Sequence, residues 1–176
     1  MSDSGPGLEQ KIEKSLEASW KEGIPAAVML GVVDYYLIPY ALFLGATTRE
    51  IGILVAVPQL LASFAQLFAV RLVKFAGSRL QFLVRGTSLQ AFLLIPIAFL
   101  ALHPHPRRIE VLVLIMIAFR IIGNLIGTAW GSLMSDYLLP QQRGNYFGWR
   151  ARTVGLAGLA GVIVSGLFLL ALLGLV

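Results

Sequence analysis

The chain contains no cysteine, so disulfides and Cys-ligated zinc or iron–sulfur sites are excluded outright. Charge is scarce as well. Only 13% of the 176 residues are Asp, Glu, Lys or Arg, against ~25% in an ordinary soluble domain. Histidine is confined to His103 and His105, and two imidazoles without a further ligand fall short of a zinc set. No paired-carboxylate, Ser/His/Asp or Cys/His arrangement is present, and no GxxxxGK[ST] loop. Catalysis is therefore not expected, and neither a metal nor a cofactor is implied. A cleavable leader is missing too: residues 1–7 are small and polar, and 8–22 mix Lys with Glu and have no apolar core.

What the chain has instead is apolar length. Hydrophobic residues make up 57% of it, and five stretches pass the ~20-residue test for a spanning helix. They are residues 23–45, 51–70, 82–102, 111–134 and 153–175. The expected fold is all-α, a polytopic membrane bundle of five transmembrane helices behind an N-terminal segment, 1–22. In that segment Leu8, Ile12, Leu16 and Trp20 recur every four residues. Such a stripe reads either as an amphipathic helix with Trp20 at the headgroups or as a solvated, partly frayed one. Pro25, Pro39, Pro58 and Pro96 fall inside spans, where neighbouring helices can satisfy the freed backbone groups.

The net charge of +5 resembles a nucleic-acid signal only while its distribution is ignored. With the N-terminus inside, Lys11, Lys14, Lys21, Arg71, Lys74, Arg79, Arg85, Arg143, Arg150 and Arg152 lie on the inner side, and only Arg49, Arg107 and Arg108 on the outer. That asymmetry makes the amino terminus cytoplasmic and, after five crossings, leaves the carboxyl terminus outside. The lipid bilayer is the first expected partner, and nucleic acid is not one. The outer loops, 46–50 and 103–109, are short; the inner ones, 71–81 and 135–152, are longer and basic. Consecutive helices joined this tightly should be antiparallel neighbours.

Charge inside the spans marks the candidate site, because an ionised group at mid-membrane costs at least a few kcal/mol and normally faces a partner or a wet cavity. Asp34 lies about eleven residues into the first span and Arg120 about ten into the fourth, so at ~1.5 Å per residue both reach ~15 Å, half of a ~30 Å core. An ion pair between them is geometrically possible, either lining a substrate or proton path or clamping two helices together. Asn124, Gly127 and Gly131 share the helical face of Arg120, with Gly123 beside them. Gln59, Ser63 and Gln66 form a second polar stripe, which lines a cavity or supplies interhelical hydrogen bonds. Tyr35 is placed to stack on a substrate or to anchor packing. Gly155, Gly158, Gly161, Ser165 and Gly166 read as a packing surface, where small residues let backbones approach. Arg85, within a turn of the inner surface, should snorkel outward.

The junction Asp136-x-x-x-Pro140-x-x-Arg143-Gly144-x-x-Phe147-Gly148 resembles the acidic-Pro-Arg-Gly inner loop of the major facilitator superfamily. Arg120 with Gly123 and Gly127 resembles that family's fourth-span arginine motif, and mid-span Asp34 with Arg49-Glu50-Ile51-Gly52 fits the same pattern. The likeness covers nearly all of residues 23–176. It implies the N-terminal half of a secondary transporter working by alternating access, with spans one, two, four and five along the cavity. Asp34 and Arg120 would form the polar core, with Gln59, Gln66, Asn124 and Tyr35 around it. Gly77, Arg79, Asp136, Arg143 and Gly144 would belong to the cytoplasmic gate loops. The chain departs from the family in the loop between spans two and three, where Val70 replaces a glycine and Lys74 an acid. In the family that acid helps to lock the outward-open state. Five helices of one six-helix half are present, so the expectation is a truncated portion that does not transport alone, in a bacterial inner membrane. Its partner would be the second half or another membrane protein, and the substrate a small molecule of unspecified kind. The alternative is a non-transporting accessory subunit of a larger membrane complex.

Overall fold

A computed structural model describes residues 6–75, 77–138 and 140–174, with side chains from Lys14 onward apart from 172 and 173. Every element among them is an α-helix: α1 (Pro6–Phe43), α2 (Thr48–Gln66), α3 (Ala69–Phe75), α4 (Arg79–Phe92), α5 (Leu94–Leu102), α6 (Arg108–Tyr137) and α7 (Pro140–Gly174). Five stretches are long and apolar enough to cross a membrane: Lys14–Phe43, Thr48–Gln66, Arg79–Leu102, Arg108–Tyr137 and Pro140–Ala171. They coincide in number and order with the five apolar runs of the sequence.

The element ends explain themselves locally. Thr47 caps α2 through a complete capping box: its hydroxyl accepts from Glu50 N–H, and the Glu50 carboxylate accepts from Thr47 N–H at 2.8 Å. After Gln66 the helix tightens, with Leu67 N–H donating to Phe64 O and Phe68 N–H to Ala65 O, before α3 resumes. Gly77, at φ 72°, turns the chain in the left-handed region, and Ser78 caps α4 by accepting from Gln81 N–H. The interruption at Leu93 stands three residues before Pro96, whose ring excludes the ordinary helical hydrogen bond and crowds the preceding turn.

The chain divides into two compact units, Met1–Leu37 with Ser135–Val176, and Ile38–Met134. The first pairs the larger part of α1 with α7. Tyr146 Oη donates to Leu16 O, Arg150 to Ser19 O and Tyr36 Oη to Val162 O, at 3.1, 3.3 and 3.1 Å. Partners rise together along both helices, so α1 and α7 run parallel. Small residues permit the approach: a Cβ added to Gly158 would sit 3.2 Å from Ala27 O, and one on Gly161 would sit 2.7 Å from Val28 Cγ1. Where the sequence turns polar, Trp20 and Trp149 meet edge to face at 5.9 Å.

The second unit centres on α6. Leu112, Met116 and Phe119, spaced four and three apart, are completely buried, as are Leu54, Pro58 and Ala62 along one face of α2. Glu50 and Ile53 share a cleft with Ile109 and Val113, and Ala69 and Val73 share another with Thr128 and Ser132, so α2 and α3 run parallel to α6. Helix α4 is antiparallel to it: Gly86 faces Ile122 and Ile126, while Gln90 faces Phe119 and Gly123. An odd pair running one way and an even pair likewise is what strict alternation of spans requires.

Helix α1 passes through Gly23 and Pro25 unbroken, and its polar end packs on the polar start of α7. Leu8 and Ile12 lie outside the residues with described side chains. Two expectations change. The inner loops shrink, since α3 occupies 69–75 and α6 and α7 extend to within two residues of each other. Gly127 and Gly131 bring no close neighbour; among the Arg120-face glycines it is Gly123 that does.

Candidate functional site: charges within apolar helices

In the first unit Asp34 sits on α1, nine residues before the helix ends at Phe43, a depth of ~14 Å. It is exposed, and Tyr35 beside it is 69% exposed. The next residue, Tyr36, turns the other way: its hydroxyl bonds Val162 O, and a Cβ on Gly166 would lie 2.6 Å from it. Asp34 and Tyr35 therefore leave the α1–α7 seam while Tyr36 closes it. Burial on one side and polarity on the other is the helical arrangement a half-wet face requires.

Arg143, read from sequence as part of a loop, stands in the first turn of α7 and folds back onto the end of α6. Its Nε donates to Leu138 O at 3.2 Å and one terminal nitrogen to Ser135 O at 2.7 Å. Carbonyls in the last turn of a helix have no partner of their own, and a guanidinium supplies several donors in a rigid fork. Arg143 is thus a cap that fixes the α6–α7 corner. Asp136 and Gly144 are exposed on helices flanking this corner, with nothing within 4 Å of a Cβ added to Gly144.

In the second unit Arg120 and Asn124 are half-buried one turn apart on α6. Arg120 is twelve residues from the start of α6 at Arg108, ~18 Å along the axis. Asn124 O accepts from Thr128 Oγ1 at 2.9 Å. Gln59 and Ser63 line one open groove on α2 with Val55, Leu60 and Leu67, and Ser63 Oγ donates to Gln59 O at 2.9 Å. Gln66 is exposed but does not line that groove. Arg79 opens α4 directly after the Gly77 turn, and Arg85 is exposed. Asp34 and Arg120 belong to different units, and each is placed within its own.

Two polar groups that sequence reasoning passed over hold the second unit together. Gln90, the single amide within residues 82–102, is 5% exposed and donates to Phe119 O at 3.2 Å. A Cβ on Gly123 would lie 2.8 Å from the same amide nitrogen, so the glycine makes room for the bond. Tyr40 at the end of α1 donates to Ile97 O on α5. Gln90 carried a readable signal, a lone amide in an apolar run. Tyr40 did not, because its acceptor is backbone. In the turn between α5 and α6 His105 Nδ1 accepts from Arg107 N–H at 3.1 Å, which commits that nitrogen to closing the turn. Among the described residues no group of three or more His, Cys, Asp or Glu gathers as a metal site.

Comparison of the chain with protein-family models, curated proteins and solved structures finds no match.

Proposed function

We propose that this chain is a transporter polypeptide of the major-facilitator type, supplying one side of an alternating-access pathway for a small molecule and not transporting alone. The observation that carries the reading is the pair of charged side chains, Asp34 and Arg120, set ~14 and ~18 Å along helices otherwise apolar enough to cross a bilayer. The residue pattern of the inner corner, Asp136 to Gly148, supports it. In this reading Asp34 and Arg120 form a polar core with Asn124, Gln59, Gln66 and Tyr35 around it, the amino terminus is cytoplasmic, and the bilayer is a bacterial inner membrane. Alternating access needs a second bundle for the first to rock against, and that requirement underlies the expected inactivity of the chain alone.

The absence of cysteine provides the test. Asp34→Cys and Asn124→Cys should react with a hydrophilic maleimide in native membranes, because a transport seam is wet. Leu167→Cys, on the exposed apolar side of α7, should not. Equal protection of all three positions would remove the seam. Proteoliposomes carrying residues 1–176 alone should take up none of a panel of labelled sugars, amino acids and organic ions; uptake would overturn the half-pathway.

A second reading, a non-transporting accessory subunit of a larger membrane complex, is favoured by one observation: Lys74 stands where the family's gate carries an acid. Mild-detergent purification from the native host separates the two. Co-purification of a complementary transporter half supports the first, and of an unrelated membrane complex the second.

A further inference from the structure

From Ile51 to Ile109 the chain has no acidic residue, yet its middle carries Arg71, Lys74, Arg79 and Arg85. The structure gathers part of this charge in one place. Lys74 at the end of α3 and Arg79 at the start of α4 line a cleft of about 90 Å³ against α6, with Ala69, Val70, Val73, Thr128, Ala129 and Ser132 as its other walls. The cleft is far below the ~300 Å³ of ordinary small-molecule sites. Its size suits one phosphate-sized group, and its lining combines two cations and two hydroxyl side chains with alkyl ones.

Its depth is fixed twice. Helix α2 has 19 residues, ~28 Å, one hydrocarbon thickness, so α3 begins where α2 has finished crossing. Counted along α6 from Arg108, Thr128 is twenty residues on, ~30 Å by the same rise. Both helices place the cleft at the headgroup level of one leaflet. Next to it in the chain Leu67, Phe68, Leu72 and Phe75 are exposed, Phe75 at 94%. Aromatic and aliphatic side chains interleaved with cations at that depth match a lipid surface, where rings settle at the interface and ammonium and guanidinium groups meet phosphate.

We infer that the α3–α4 corner, with the face of α6 behind it, binds an anionic phospholipid of that leaflet, its phosphate between Lys74 and Arg79 and its glycerol and upper chains along Ala69, Val73 and the exposed apolar side of α3. The inference needs the chain to span a bilayer but does not depend on transport. Commitment to a lipid rather than a soluble anion follows from the alkyl part of the lining and the exposed apolar side chains of α3, which a free phosphate would leave unused.

The test uses the purified full chain in detergent, titrated with dioleoylphosphatidylglycerol or dioleoylphosphatidylcholine and read by native mass spectrometry. Phosphatidylglycerol should be retained at least tenfold more strongly. Lys74→Gln and Arg79→Gln should each weaken it about fivefold, the equivalent of ~1 kcal/mol per basic group near an anionic surface, while leaving phosphatidylcholine adducts unchanged. Lys74→Arg should restore it, and Arg107→Gln, on the outer turn, should have no effect. The unsubstituted protein gives an independent reading, since ~0.5 M salt shortens the screening length to a few ångströms and should erase most of the preference. Equal retention of the two lipids, variants that leave the ratio unchanged, or displacement of phosphatidylglycerol by millimolar inorganic phosphate would overturn the inference.

Discussion

Arg143 and Gln90 show how single polar side chains hold apolar helices in place. Arg143 reaches Ser135 O and Leu138 O, carbonyls that the end of α6 leaves without helical donors. Hydrogen bonds from a charged donor contribute ~1.5–3 kcal/mol, so Arg143→Ala should lower the free energy of unfolding in detergent by an amount of that order. Arg143→Lys should recover only part of it, since an ammonium cannot reproduce the fork. Gln90 makes a second case. Gly123→Ala must push the buried amide off Phe119 O, at a cost of ~1–3 kcal/mol for the orphaned groups. Gln90→Ala should cost a similar amount, and the double variant clearly less than the sum, a coupling measurable by a double-mutant cycle. At this scale the sequence spoke where a residue type was out of place. Asp34, Arg120 and Gln90 stand out from apolar runs. The roles of Arg143, Tyr36 and Tyr40 did not, because each bonds to a backbone carbonyl that any sequence would present.

Among the helices, the parallel pairing of α1 with α7 makes the sharpest demand. The glycines of residues 153–175 were legible as a packing face, and Gly158, Gly161 and Gly166 do serve as one, whereas Gly155 has nothing within 4 Å. Their partner was not legible, because no local pattern says which distant helix will cover a face of small residues. Ala27 Cβ and the position a Cβ would take on Gly158 are 3.6 Å apart, inside the range for a disulfide. Ala27→Cys with Gly158→Cys should therefore crosslink under mild oxidation in this otherwise cysteine-free chain, and Ala27→Cys with Gly166→Cys, two turns out of register, should not. Gly161→Leu should cost ~1–3 kcal/mol through overpacking against Val28 and abolish the crosslink. Helix ends were the least legible feature. Composition marked where apolar runs stop at 22 and 152, but helices continue through polar sequence wherever another polar helix packs against them, as Trp20 and Trp149 show.

Taken whole, the chain presents far more apolar surface than water tolerates. In one unit Leu67 and Phe75, and in the other Leu167, Phe168 and Leu170, are each more than 60% exposed, and large apolar exposure marks a surface meant for lipid or another protein. The protein should partition into the detergent phase and precipitate when detergent is removed. With the amino terminus cytoplasmic, as proposed from the distribution of basic residues, His105→Cys should be labelled by an impermeant maleimide in intact cells and Gln81→Cys only after permeabilisation; the reverse pattern would overturn that orientation. The count of five long apolar stretches was present in the one-dimensional pattern, since it depends on run length alone.

The contact between Leu16 and Tyr146 joins positions 130 residues apart, and ribosomes add ~5–20 residues per second. The first helix must then wait roughly 6 to 26 s in the translocon or beside it before its mate is even synthesised. A nascent chain stalled short of α7 leaves the Gly31 side of α1 without Gly158 and Val162, the neighbours that close it in the finished fold.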